Sequence, residues 1–157
     1  MIWQSTVNGR PHELHIEPNE TLSDVLRNRL RLTGTKVSCD VQVCGACTVL
    51  VDGLPVSSCT YLAYEARGRE VLTIEGLAPP GQDLHPLQQA FLDEYAYQCA
   101  FCTPGMILAA KSLLDQRPDA SRDEIVAYMD GNLCRCTGYM PIIAAIQRVQ
   151  RELAAAR

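Results

Sequence analysis

The chain of 157 residues lacks several features that would assign it to common classes of protein. Its first ten residues, MIWQSTVNGR, have neither the charged start nor the apolar centre of a secretory signal peptide. No apolar run approaches the roughly 20 residues that a membrane-spanning helix needs. Lys and Arg number 14 against 18 Asp and Glu, and no basic run stands out. The sequence therefore predicts a cytoplasmic protein with no membrane insertion and no nucleic-acid partner.

Catalytic side chains are also scarce. The only histidines, His12, His15 and His85, are expected at the surface or as helix caps. No Ser/His/Asp or paired-carboxylate arrangement stands out. With 47% hydrophobic and 20% charged residues, the chain is nevertheless globular and far from the disordered regime. We expect a folded chain with no catalytic residues of its own.

Cysteine, in contrast, is plentiful. The eight cysteines fall into two groups of four with none left over: Cys39, Cys44, Cys47 and Cys59, then Cys99, Cys102, Cys134 and Cys136. The first group has the C-x4-C-x2-C…C spacing of a plant-type two-iron, two-sulfur (2Fe–2S) ferredoxin, and the second reads C-x2-C-x31-C-x-C. A reducing compartment favours metal ligation over disulfides, so we expect two metal centres.

Structural zinc is the competing interpretation of both groups. The first group places three ligands together, whereas structural zinc more often takes two short pairs. The second group would suit zinc by spacing alone. Each of its pairs, however, is followed by a threonine and a proline, Thr103-Pro104 and Thr137 with Pro141, which predict helix starts. Two helix N-termini facing one centre would favour an anionic cluster. A zinc-stabilised interaction module and an independent ferredoxin stay open as alternatives.

The pattern of the chain changes near residue 75. Before it, strands are predicted over 2–7, 13–16, 48–51, 54–56 and 70–74, with hairpin turns at Asn8-Gly9 and Asp52-Gly53 and a capped helix from Thr21. After it, helices are predicted over 86–97, 104–115, 125–129 and 141–153, the third preceded by a capping box at 121–124. The predicted fold class is α+β. It comprises an N-terminal β-grasp, ferredoxin-like domain over 1–75, a linker over 76–84 and a C-terminal four-helix bundle over 85–157.

Three stretches carry a family resemblance. CGACTV at 44–49, QCAFCTPGM at 98–106 and NLCRCTGY at 132–139 resemble the small iron–sulfur subunit of the xanthine oxidase family of molybdenum hydroxylases. The similarity covers essentially the whole chain, with both cysteine groups in register. The Cys39-Asp40 start resembles the carbon monoxide dehydrogenase-like branch, alongside bacterial aldehyde and N-heterocycle dehydrogenase small subunits.

The resemblance implies an electron-transfer subunit of a larger enzyme. A separate large subunit would convert the substrate on molybdopterin, often as the cytosine dinucleotide. The cluster held by Cys99, Cys102, Cys134 and Cys136 would lie proximal to molybdenum, and that held by Cys39, Cys44, Cys47 and Cys59 would be distal. By similarity, Gln98 and Cys136 would contact the pterin. Electrons would leave for a medium subunit carrying FAD or for a cytochrome subunit, and export would require a partner's signal on the folded complex.

The first cysteine loop departs from the family pattern. The family often reads C-G-x-G-x-C, whereas this chain has Cys39-Asp40-Val41-Gln42-Val43-Cys44. Without these glycines we expect either different backbone angles or compensating hydrogen bonds, such as one from Asp40. Ala100 likewise replaces a glycine that is common between Cys99 and Cys102.

Overall fold

A mixed five-stranded sheet dominates the N-terminal half. The structure is a computed structural model that describes residues 1–78 and 81–155. The strands are β1 (Ile2–Val7), β2 (Arg10–His15), β3 (Thr48–Val51), β4 (Leu54–Ser57) and β5 (Glu70–Leu72). Their spatial order is β2-β1-β5-β3-β4, with β1 and β5 parallel and the other pairs antiparallel.

Two tight turns fix the register of the hairpins. Asn8 and Gly9 have φ of 52° and 74°, and Asp52 and Gly53 have φ of 50° and 80°. Positive φ at both central residues is the geometry of a type I′ turn, whose twist matches that of the flanking strands. Both predicted hairpins are confirmed. The second strand begins at Arg10, earlier than predicted, because it pairs with Val7 directly across the turn.

One helix covers this sheet. Helix α1 (Leu22–Asp24) continues as a π-helical turn over Val25–Arg29. Thr21 caps it in a reciprocal box with Asp24, as the sequence predicts. The apolar face of this helix packs into a core that includes Trp3, whose indole N–H donates to Ala63 O at 2.7 Å.

The end of β5 differs from the prediction of a strand over 70–74. The Asn8 side chain accepts from Thr73 N and donates to Thr73 Oγ1, both at 2.9 Å. These bonds draw Thr73 out of the ladder, and a short helix, α2 (Ile74–Leu77), follows. Residues 76 and 77 of the predicted linker are therefore helical, while its Pro79 and Pro80 lie outside the described residues.

Four helices form the C-terminal half. They are α3 (Pro86–Asp93), α4 (Thr103–Gln116), α5 (Arg122–Met129) and α6 (Tyr139–Ala155). They surround one core, whose largest fully buried side chains are Leu87, Phe91, Met106, Leu113, Ile125 and Ile146. No helix in the described part of the chain combines the length and apolar character needed to cross a membrane.

The ends of these helices depend on caps. His85 Nδ1 accepts from Leu87 N at 3.1 Å, so the predicted capping role of His85 is confirmed, and burial lowers its pKa. Ser121 and Glu124 form the predicted capping box at α5. The prediction that α3 reaches residue 97 is wrong, because Tyr95 takes a φ of 51° and turns out into solvent.

The two halves meet at glycine positions. Gly105 in the first turn of α4 lies against the backbone of Gly45, and an added Cβ at Gly105 would lie 2.5 Å from Gly45 O. The buried Asn132 side chain donates to Gly45 O at 2.9 Å. Ser112 Oγ also donates to Gly53 O at 2.8 Å. The helical half is therefore docked directly on the sheet half.

This contact predicts an unusual outcome for Gly105→Ala. Replacing a helical glycine by alanine ordinarily stabilises a protein by about 0.5–1 kcal/mol. Here the backbone contact should reverse the sign, with a loss of about 1–3 kcal/mol in the free energy of unfolding from overpacking. Chemical denaturation measures this free energy.

Gly131→Ala is the matched control. A Cβ at Gly131 would have no neighbour closer than Tyr128 O at 4.0 Å. Its effect on the free energy of unfolding should be within about 0.5 kcal/mol of zero. Equal effects of the two substitutions would contradict the close contact at Gly105.

Candidate metal centres

The first cysteine group surrounds the start of β3. Cys39 and Cys44 lie in the irregular loop that precedes the strand, and Cys47 directly precedes it. Cys59 follows β4, and the hydroxyl of its neighbour Ser58 donates to Cys47 O at 2.7 Å. The β3–β4 hairpin therefore brings the fourth cysteine back beside the third. Cys47 and Cys59 are buried, whereas Cys39 and Cys44 are half-buried.

Backbone N–H groups converge on Cys39. Val41 N lies 3.5 Å from its sulfur, and Val43 N and Cys44 N each lie 3.4 Å from it. These three donors lower the pKa of Cys39 to about 6, Val41 having the largest effect. The loop thus stabilises an anionic sulfur at this position.

The loop takes glycine-type angles without glycine. Asp40 and Gln42 have φ of 57° and 61°. Left-handed φ at these two positions is a conformation that glycine adopts without strain. Compensation does occur through a hydrogen bond, but it involves Gln42, whose Oε1 accepts from Thr60 Oγ1 at 3.0 Å. Within the described residues, the Asp40 side chain makes no hydrogen bond.

The second group lies at the starts of α4 and α6. Cys99 and Cys102 precede α4, and Cys134 and Cys136 precede α6. Thr103 and Pro104 are the first two residues of α4, close to the predicted positions. Gly138 N lies 3.4 Å from Cys134 Sγ, so the turn before α6 also directs an N–H at a sulfur.

Two further features shape this second site. Ala100 and Thr137, each beside a cysteine, both have a φ of 60°, so the backbone keeps left-handed angles here too. Cys134 N donates to Tyr139 Oη at 2.9 Å, which ties the cysteine turn to the first residue of α6. The Tyr139 contact was not predicted, although its position in the NLCRCTGY stretch is a signal that could have found it.

The cysteines lie as pairs within each group. Cys99 Sγ and Cys136 Sγ are 3.6 Å apart. Cys102 neighbours Cys134, and burial raises the pKa of Cys102 to about 12. The remaining pairs are Cys47 with Cys59, where burial raises the pKa of Cys47 to about 11, and Cys39 with Cys44.

The paired arrangement fits a two-iron cluster. Among residues 1–78 and 81–155, no group of three or more Cys, His, Asp or Glu side chains lies close enough together to hold a single metal ion. When two irons are bridged by sulfide, each iron takes two thiolates, so four cysteines in two neighbouring pairs form the donor set of one 2Fe–2S cluster. Each cysteine group offers such a set.

A direct hydrogen bond links the segments that carry the two cysteine groups. Leu133 N, next to Cys134, donates to Cys44 O at 2.8 Å. The spacing of the cysteines does not predict this contact, because the contact depends on how the two halves of the molecule pack together. The bond joins the backbone of one cysteine group to the backbone of the other.

An exposed edge surrounds Cys99. Gln98 is exposed and its Nε2 donates to Cys136 O at 3.0 Å, so the two residues predicted to contact a pterin lie together. Large apolar side chains are exposed within a few residues of one or the other cysteine pair in the sequence, namely Tyr95, Tyr97, Phe101, Leu133 and Met140. The amide of Gln98 thus fixes the turn that carries Cys136.

Comparison with known families covers nearly the whole chain. Residues 5–73 match the family described as a 2Fe-2S iron-sulfur cluster binding domain, and residues 73–147 match a [2Fe-2S] binding domain. The chain is 48% identical over 141 residues to the nicotinate dehydrogenase small FeS subunit of Eubacterium barkeri, covering 90% of this chain and 89% of that protein. It is 46% identical over 140 residues to the nicotine 6-hydroxylase small subunit of Paenarthrobacter nicotinovorans, covering 89% and 84%.

Solved structures of related enzymes have the same fold as this chain. Quinoline 2-oxidoreductase from Pseudomonas putida 86 contains a chain that superposes with a TM-score of 0.89 at 49% identity, covering 93% of this chain and 90% of that one. Aldehyde oxidoreductase from Desulfovibrio gigas superposes with a TM-score of 0.93 at 40% identity, covering all of this chain and 18% of that one. The family resemblance inferred from the cysteine motifs is confirmed. This chain belongs to the small iron–sulfur subunits of the xanthine oxidase family of molybdenum hydroxylases.

Proposed function

We propose that this chain carries electrons within a molybdenum-containing hydroxylase or dehydrogenase, holding two 2Fe–2S clusters on its eight cysteines. Each cluster would supply a one-electron carrier. The observation that carries the proposal is the hydrogen bond of 2.8 Å between Leu133 N and Cys44 O. It brings the segments that carry the two cysteine groups into direct contact, and electron transfer between two centres depends on their lying close together.

The ligands divide by half of the molecule. Cys39, Cys44, Cys47 and Cys59 would hold the distal cluster, and Cys99, Cys102, Cys134 and Cys136 the cluster proximal to molybdenum. The N–H groups that point at Cys39 and Cys134 support these assignments, because they stabilise thiolate charge. The starts of α4 and α6 add favourable dipoles beside the second group.

The same division describes the domains. We assign residues 1–75 to a β-grasp ferredoxin-like domain, 76–84 to a linker and 85–157 to a four-helix bundle. A helix laid over a mixed sheet and four helices around a single core support this assignment. The two family matches also meet at residue 73.

The proximal side would face a large catalytic partner. That partner would hold molybdopterin, in the form of the cytosine dinucleotide, with Gln98 and Cys136 of this chain in contact with the pterin. Support comes from the exposure of Gln98 and from its bond to Cys136 O, which places the two residues side by side. The names of the relatives, as small subunits of a nicotinate dehydrogenase and a nicotine 6-hydroxylase, support an assembly of several chains.

The distal side would face the electron acceptor. Val41 and Val43 lie within the Cys39–Cys44 loop and are 63% and 62% exposed, which is high for apolar side chains beside a redox centre. We assign this face to a medium subunit carrying FAD or to a cytochrome subunit. The complex would lie in the cytoplasm, or be exported folded on a partner's signal.

Metal analysis tests the proposed clusters. The purified chain should contain two irons and two acid-labile sulfides for each cysteine group. Chelation of the iron should lower the midpoint temperature of thermal unfolding, because each cluster cross-links the half of the molecule that holds it. A chain that contains zinc without sulfide would contradict the proposal.

Paired substitutions test the division of ligands. Cys47→Ser should remove the distal cluster alone, and Cys102→Ser the proximal cluster alone, because each residue neighbours a cysteine of its own group. Each variant should keep half of the iron and sulfide. Loss of both clusters from a variant whose circular dichroism is unchanged would argue against two separate sites.

Gln98→Ala tests the proposed pterin contact. Within the complex, we expect about tenfold slower reduction of the proximal cluster after substrate is added. The variant would lose the hydrogen bond from Gln98 to Cys136 O, and a bond of about 1.4 kcal/mol corresponds to a factor of about ten. Rapid-mixing spectroscopy measures this rate.

The control is Gln89→Ala, on α3, whose side chain donates to Asp93 Oδ1 and makes no other hydrogen bond within the described part of the chain. It should leave the rate unchanged. An unchanged rate in both variants would rule out a role for Gln98 in electron entry.

A further inference from the structure

The loop between Cys39 and Cys44 is strained in a specific place. Left-handed φ is disfavoured for residues other than glycine, and both Asp40 and Gln42 take it. These angles are also what directs Val41 N and Val43 N at Cys39 Sγ, at 3.5 and 3.4 Å. The loop must therefore be held in this conformation by something other than its own backbone preference.

Thr60 provides that restraint. Its hydroxyl donates to Gln42 Oε1 at 3.0 Å, and Gln42 lies between the two N–H donors Val41 and Val43. Thr60 is itself fixed, since its N–H donates to Ser57 O at 3.2 Å in the turn after β4. The alternative acceptor of the hydroxyl, Ser57 O, is farther away at 3.4 Å. The bond thus ties the first cysteine loop to the segment that carries Cys59.

We propose that Thr60 and Gln42 form a clamp that takes the place of glycine in this loop and sets the reduction potential of the N-terminal cluster. The inference rests on the proposed function, because it requires a cluster on Cys39. N–H groups directed at a ligand sulfur stabilise the more negative, reduced form, so they raise the potential. Thr60 and Gln42 are positioning residues, since neither ligates the cluster.

Thr60→Val tests the clamp in the full-length chain with both clusters assembled. Valine keeps the β-branched shape and removes the hydroxyl. Redox titration followed by electron paramagnetic resonance should show a lower midpoint potential for the N-terminal cluster only. The cluster of the helical half serves as an internal reference, and Thr60→Ser, which keeps a hydroxyl, should resemble the wild type. Iron release from the N-terminal cluster to a chelator should be about threefold faster in Thr60→Val.

Gln42→Gly provides the second test. Glycine takes a φ near +60° without strain, so this loop should no longer need the clamp. In the Gln42→Gly background, Thr60→Val should therefore leave the potential unchanged. A wild-type potential in Thr60→Val, or the same shift in both backgrounds, would overturn the clamp alone. A wild-type chain without an iron–sulfur cluster would overturn both the clamp and the proposed function.

Discussion

The close approach of the Gly45 backbone to the helical half is the contact on which the two sites depend. Gly105 lies against Gly45 O, and the Asn132 side-chain amide donates a hydrogen bond to the same oxygen. No side chain fits between these segments. Because they touch backbone to backbone, Leu133 N reaches Cys44 O, and the two cysteine groups become neighbours. Fold and proposed function therefore depend on the same few atoms.

The cysteines experience opposite environments within each group. N–H donors lower the pKa of Cys39 to about 6, whereas burial raises those of Cys47 and Cys102 to about 11 and about 12. A buried thiol becomes an anion readily only when a cation binds it, so iron binding supplies what burial removes. N–H donors lower the pKa of Cys39 and of Cys99, so these two thiols ionise more readily, whereas Cys47 and Cys102, whose pKa values burial raises, gain most from the metal. Cluster binding and folding should consequently be coupled.

Local chemistry made much of the structure predictable from sequence. The turns at Asn8-Gly9 and Asp52-Gly53 and the caps at Thr21, His85 and Ser121 depend on adjacent residues, and each lies where expected. The end of β5 was not predictable in this way, because it depends on hydrogen bonds between Thr73 and the side chain of Asn8, which is 65 residues away in the sequence. The conformation of the Cys39–Cys44 loop could not be predicted for a similar reason. Asp40 and Gln42 take backbone angles that they disfavour, and Gln42 is bonded to Thr60, which lies outside the loop. Cysteine spacing predicted the two groups of four, but not the pairing of cysteines within each group or the hydrogen bond between the groups.

Two 2Fe–2S clusters that lie close together on one chain should interact magnetically when both are reduced. Electron paramagnetic resonance of the fully reduced protein measures this interaction. Two distinct signals of equal intensity should appear, and each should be split or broadened by its neighbour at low temperature. Their interaction should disappear when only one cluster is reduced. A single signal, or two signals that show no magnetic interaction, would contradict a pair of neighbouring clusters.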